Sequence, residues 1–200
     1  MDTSVVIRTK NEGPIFKNVL EMLRAQTLQE FEIVQVDDNS SDGTESLVYN
    51  YFSEDRVKVV RIPEGKFSHP FSCNLGAKSA SGKWLVYING HSIPATNSWL
   101  ADGLSNFSDD KVAGVFAWNL PNPDANRVER FLYNFYSKTL HGKREVYKKV
   151  QMGVLGTTSA ILRKDLWEQY PFNESFGLGG EDTDWAKYWM DEGYIVIQDP

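Results

Sequence analysis

The densest chemistry in the sequence is Gly179-Gly180-Glu181-Asp182-Thr183-Asp184-Trp185, where three carboxylates follow a glycine pair within four positions. Acids at a helix start are favoured by the helix dipole, and a single one suffices as a cap. Three of them repel one another, which capping alone does not explain. A carboxylate poised in a cleft can take the proton of an attacking hydroxyl as a general base. Asp182 is the candidate base and Glu181 its alternate.

A second cluster is Asp37-Asp38-Asn39-Ser40-Ser41-Asp42-Gly43-Thr44. A carboxylate there can accept from a nucleobase N–H or a ribose hydroxyl, and Asp38 is the candidate. The same residues are good turn and capping chemistry, and in isolation the loop reads as structure. A third group is Asn89-Gly90-His91, whose imidazole is a competent ligand for a divalent metal, although a lone loop histidine seldom is one. His69, ahead of Pro70, either contacts phosphate or orders a turn. Trp185, Tyr188 and Trp189 form either a sugar platform or, by their helical spacing, part of the core.

These groups need a scaffold, and the chain alternates short β-rich runs with amphipathic stretches, as expected of βα units on a parallel sheet. Strands are predicted at 4–8, 31–36, 57–62, 84–88, 112–118, 159–163 and 194–198. Helices are predicted from the turn at 9–14 through Leu28, from the 37–44 loop through Tyr49, and over 74–80, 99–104, 165–169 and 181–192. Residues 125 to 150 have a helical period and carry Phe131, Tyr133, Phe135, Tyr136, His141, Lys143 and Arg144, a mixture suited to an acceptor-facing region. In open α/β sheets ligands gather at the carboxyl ends of the strands. The loops at Thr9–Glu12, Asp37–Asp42 and Asn89–Ser92 all lie at such ends.

With 200 residues and 41% hydrophobic content the chain supports one core. The net charge of −6, without a basic stripe, argues against nucleic acid as a partner. Cys73 is the sole cysteine, so no internal disulfide or cysteine zinc cluster forms, and a reducing cytoplasm is expected. No apolar run reaches the roughly 18 residues of a membrane span, so no spanning segment is expected. Three Asn-x-Ser/Thr sequons, at Asn39, Asn106 and Asn173, are short enough to arise by chance.

Taken together, Val5-Val6-Ile7-Arg8-Thr9-Lys10-Asn11-Glu12, the 36–44 segment and Gly180–Trp185 resemble the family-two inverting glycosyltransferases of the GT-A fold. Residues 67–77, with 84–94 after them, are most similar to the branch containing bacterial rhamnosyltransferases. The resemblance implies an α/β fold with a mostly parallel central sheet flanked by helices. It also implies a nucleoside-diphosphate sugar donor, a glycan or lipid-linked glycan acceptor, and a place in the cytoplasm or at a membrane surface. One catalytic domain over 1–200 is expected, with 1–118 as the nucleotide-binding half and 119–200 as the acceptor-side half. Relatives commonly continue further, so the chain is expected to be a truncated or minimal module.

By the same resemblance Thr9, Asn11, Glu12 and Asp38 line the nucleoside pocket, Asn74 supports it, Asn89 meets the donor and Asp182 is the base. The family's Asp-x-Asp metal motif falls on Asn89-Gly90-His91, leaving His91 as the candidate ligand for manganese or magnesium. Cys73 stands where many relatives carry an arginine that faces the diphosphate; Lys66 and His69 are the candidate substitutes. Two rivals are open. A nucleotidyltransferase would want a glycine-rich basic loop near the first strand, and Thr9–Pro14 holds one glycine and one lysine. A non-catalytic nucleotide- or glycan-binding relative would not need the acids at Glu181–Asp184.

Overall fold

A computed structural model describes residues 1–121, 125–131, 144–151 and 153–199. Eight strands form one sheet in the order β3-β2-β1-β4-β7-β5-β8-β6. They are β1 (Thr3–Thr9), β2 (Phe31–Asp37), β3 (Val57–Arg61), β4 (Trp84–Asn89), β5 (Val112–Ala117), β6 (Glu145–Tyr147), β7 (Ser159–Arg163) and β8 (Ile195–Asp199). β1 pairs in parallel with β2 and β4, and β2 with β3. β7 is antiparallel to both β4 and β5, β8 is parallel to β5, and β6 is antiparallel to β8. Most strands therefore share one direction, as expected, with β6 and β7 reversed.

Every residue of β1 and β2 is buried, because these strands have neighbours on both edges and helices on both faces. Side chains alternate across the pleat. Val5 and Ile7 join one core with Phe16, Leu20, Leu23, Ile33 and Leu100, while Val6 joins the other with Cys73, Ala77, Trp167, Trp185 and Trp189.

Helix α1 (Pro14–Arg24) starts on a proline at its first position and buries Phe16, Val19, Leu20 and Leu23. That i, i+3, i+4, i+7 stripe faces the first core. Its end at Arg24 is earlier than predicted, although Leu28 still packs against that core. Helix α2 (Thr44–Leu47) is one turn, extended by a 3₁₀ turn over Val48–Asn50. α3 (His69–Ser79) starts five residues before its predicted position, because the Ser68 hydroxyl accepts from Phe71 N–H and Pro70 is accommodated in the first turn. It lies close on β1 and β2. A Cβ at Gly76 would meet Val6 Cγ1 at 2.3 Å and Val36 Cγ2 at 3.0 Å.

The other helices with full bounds are α4 (Trp99–Ser105), α5 (Lys164–Gln169) and α6 (Glu181–Asp191), and residues 127–131 are helical too, as the period over 125 to 150 predicts. The helical period read over 125 to 150 fails at Glu145–Tyr147, which is strand β6. There, backbone pairing to β8 and the bond from the Tyr147 hydroxyl to Gln198 Oε1 at 2.8 Å override the local periodicity. Phe131 is 66% exposed and Arg144 donates to Asn106 Oδ1 at 3.0 Å. Tyr133, Phe135, Tyr136, His141 and Lys143 lie outside the described residues.

Candidate active site

The loops after β1 and β2 are built as one unit. Asp37, fully buried, accepts from Ser40 N–H and Ser40 Oγ–H, each at 2.7 Å, and from the Thr9 hydroxyl at 2.6 Å. Asn11, in the left-handed region at φ 50°, donates its N–H to Ser40 Oγ and accepts from Ser41 N–H, both at 2.8 Å. Asp42 accepts from Thr44 N–H and Gly13 N–H, each at 3.0 Å. The turn reading of this loop thus holds for Asp37 and Asp42. It leaves out Asp38.

Asp38 instead lines a cleft of about 670 Å³ with Lys10, Asn39, Glu64, Gly65 and Phe67. Lys10 donates to its backbone carbonyl and forms an ion pair with its carboxylate at 3.5 Å. Thr9, expected to line the nucleoside pocket, and Asn74, expected to support it, have no polar group left for a donor. Thr9 is 4% exposed, and its hydroxyl is taken up by Asp37 and by Gln35 Nε2 at 3.2 Å. Asn74 accepts from Trp167 Nε1–H and Phe172 N–H and donates to Phe172 O and Glu174 Oε1. That exhausts its amide, so its part is to pin the 167–174 segment onto α3.

At the end of β4, Asn89 accepts from Arg8 Nη2 at 2.7 Å, and His91 Nδ1–H donates to Glu12 Oε2 at 3.0 Å. That hydrogen bond to the Glu12 carboxylate raises the His91 pKa. Gly90 is required for the arrangement, since a Cβ there would fall 2.5 Å from Glu12 Cγ. Among the described residues no three His, Cys, Asp or Glu side chains gather as a metal-binding group. Nucleotide-bound magnesium or manganese commonly takes one or two protein ligands, with phosphate oxygens and water completing the shell. Glu12 and His91 fit that pattern; Asn89, engaged by Arg8, does not. A larger hollow of about 820 Å³ also includes Asn89 and His91 and runs past Trp99, Trp118 and Asn119.

The acid cluster opens α6. Its N-cap is Gly180, in the left-handed region at φ 103° and without a side chain to cap the helix; of the three acids, Asp182 accepts from the first-turn Thr183 N–H at 2.7 Å. Asp184 accepts from the Tyr170 hydroxyl at 3.0 Å. Glu181 is 2% exposed, its Oε2 has no partner among the described residues, and burial raises its pKa. Asp182 is less enclosed. Burial raises its pKa too, against the lowering effect of the Thr183 and Thr157 N–H groups. Trp185 and Trp189 are 0% and 5% exposed and belong to the core, which removes these two from a sugar platform; Tyr188 is 39% exposed. Tyr188 stacks on Tyr170 with ring centroids 3.9 Å apart.

His69 links the two acidic regions. Its ring meets Phe67 of the Asp38 cleft at 5.5 Å, and its N–H donates to Gly177 O in the loop leading to α6. Its Nδ1 accepts from Arg8 Nη1 at 3.2 Å, because a guanidinium only donates. Burial and the Arg8 charge lower its pKa, while Asp182 acts in the opposite sense. Arg8 went unmarked among the sequence candidates. The signal was a single charge inside the apolar run Val5-Val6-Ile7-Arg8 of a central strand.

Residues 4–170 match the description of Glycosyl transferase family 2, and the chain belongs to that family. It is 24% identical over 201 residues to the O-antigen chain rhamnosyltransferase RfbN of Salmonella typhimurium, covering 98% of this chain and 63% of that protein. It is 26% identical over 199 residues to the GalNAc(5)-diNAcBac-PP-undecaprenol beta-1,3-glucosyltransferase of Campylobacter jejuni, covering 96% of this chain and 61% of that one. The chain thus spans about three-fifths of these relatives. Its fold is that of the GT-A glycosyltransferases. The mannosyltransferase PcManGT from Pyrobaculum calidifontis, solved with GDP-Man and Mn2+, superposes with a TM-score of 0.75 at 21% identity, over 100% of this chain and 55% of that one. No described helix is long and apolar enough to cross a membrane.

Proposed function

We propose that this chain carries the donor-binding and catalytic part of an inverting glycosyltransferase, which moves a sugar from a nucleoside diphosphate to an acceptor hydroxyl in polysaccharide or glycan synthesis. The observation that supports this most is the meeting of the Asp38 cleft and the start of α6 around His69, at the carboxyl end of the parallel strands. In this reading Asp38 holds the nucleoside, with Asn11 and Glu12 nearby. Asp182 takes the proton of the acceptor hydroxyl as its oxygen attacks the anomeric carbon. The bond to the diphosphate breaks on the opposite face, its electron pair leaves with the phosphate oxygen, and configuration inverts. Asp182 is preferred to Glu181 because the latter is enclosed.

Glu12 and His91 would hold a divalent cation together with diphosphate oxygens, and such a cation would offset charge on the leaving group. PcManGT was solved with Mn2+, which is consistent with that role. The Campylobacter jejuni relative is named for an undecaprenol-linked glycan, and a lipid-linked glycan is the acceptor class we adopt. We assign residues 1–118 to the donor and 119–200 to the acceptor side.

A thermal-shift panel of nucleoside diphosphates and nucleotide sugars, with and without manganese, tests the reading, since a ligand that binds the native state raises its melting temperature. Selective stabilisation by one nucleotide class is expected. No response to any member would contradict the reading, and pyrophosphate release from a nucleoside triphosphate would favour a nucleotidyltransferase.

A further inference from the structure

Arg8 is the group at this site for which the chemistry above has no task. Alternation along β1 sends it to the same face as Val6, the face covered by α3 and α6. It is 8% exposed. Burying a charge costs several kcal/mol unless an opposite charge offsets it, so a buried guanidinium usually faces a carboxylate. This one does not. Its acceptors are neutral: His69 Nδ1 at 3.2 Å, Asn89 Oδ1 at 2.7 Å and the Thr157 carbonyl at 3.2 Å. Its Nε has no partner among the described residues. Among the described residues no carboxylate lies within ion-pair distance of it. Glu181 feels its charge through space only.

The contacts also locate it. They come from the start of α3, the end of β4 and the turn before β7, which converge where the strand ends open. Asn89 is the first residue of the segment that stands in place of the acidic metal motif. A cation held rigidly there, without a counter-ion, is an incomplete ion pair.

We propose that Arg8 is a diphosphate-binding residue, a fixed cation that takes the donor's diphosphate as its counter-ion and binds it even when no divalent metal is present. This rests on the glycosyltransferase reading. The planar guanidinium matches phosphate oxygens in a two-pronged geometry that a lysine cannot reproduce. When the bond from the anomeric carbon to the diphosphate oxygen breaks, the electron pair goes to that oxygen, and Arg8 faces the growing charge. The acceptor's proton goes separately to Asp182. A metal, if held by Glu12 and His91, would add to this charge.

The test is calorimetry of the full chain in EDTA with UDP and GDP, beside ligand-observed NMR titration of uridine and guanosine. Wild type, Arg8→Gln and Arg8→Lys are compared, and thermal unfolding checks that each variant folds. Wild type is expected to bind one diphosphate in EDTA. Arg8→Gln is expected to weaken that binding about ten- to a hundredfold and leave the matching nucleoside unchanged. Arg8→Lys, which keeps the charge without the fork, falls between, and it alone carries the comparison if the glutamine variant does not fold. Equal diphosphate affinity in wild type and variants would overturn the proposal. So would an equal loss for diphosphate and nucleoside, the mark of a purely structural role. A wild type that binds no member of the nucleoside diphosphate panel, with or without manganese, would instead remove the transferase reading on which the proposal stands.

Discussion

Asp182 and His91 are both shifted in pKa, by different causes and with different consequences. Burial raises the Asp182 pKa from 3.8. A base works only when ionised, so the raised value moves the acid limb of the rate to higher pH. The turnover rate of wild type is expected to fall as pH drops through a value above 3.8, read from a pH–rate profile. A limb at or below 3.8 would contradict that environment. His91 is raised from 6.5 by its bond to Glu12 and must be neutral to ligate a metal. Manganese is therefore expected to tighten nucleoside diphosphate binding, more so as pH rises through the shifted His91 value. His91→Ala is expected to reduce the gain. Calorimetry with and without chelator reads both, and an unchanged gain in His91→Ala would remove His91 from the metal site.

The elements set these residues in place, and α3 is the one with least tolerance. Its Gly76 lies where a Cβ would overlap Val6 of β1 and approach Val36 of β2. Gly76→Ala would push the helix off the sheet and carry His69 with it. A loss of about 1–3 kcal/mol is expected by urea unfolding, the usual cost of overpacking a core. Unchanged stability would mean that the α3–sheet contact is looser than described. Periodicity made most elements legible: β7 was predicted with its final bounds, and the other strands that were predicted fell within about a residue of theirs. The early start of α3 was missed because capping at Ser68 is a local signal that its weak apolar stripe does not echo. β6 was missed because three residues paired to a distant strand leave no period to read.

At the scale of the whole molecule, the strand order brings segments from 28 to 149 residues apart to one end of the sheet. That convergence was read from motifs, and the motifs could not say which members of each would turn inward. Asp38 points into a cleft, whereas its neighbour Asp37 is consumed by the turn. Thr9 and Asn74 carried site-like identities, yet burial turned them into clamps. Arg8 carried no motif, and its placement became visible only once Asn89, His69 and Thr157 were seen around it. The account stands on Asp182 acting as base beside a donor site that it does not itself build. The direct measurement is sugar transfer and nucleoside diphosphate affinity in Asp182→Asn, whose amide oxygen can still accept from Thr183 N–H. Transfer lowered by about 10²–10⁴-fold with an unchanged Kd is the predicted result. Transfer at the wild-type rate in that variant would contradict it.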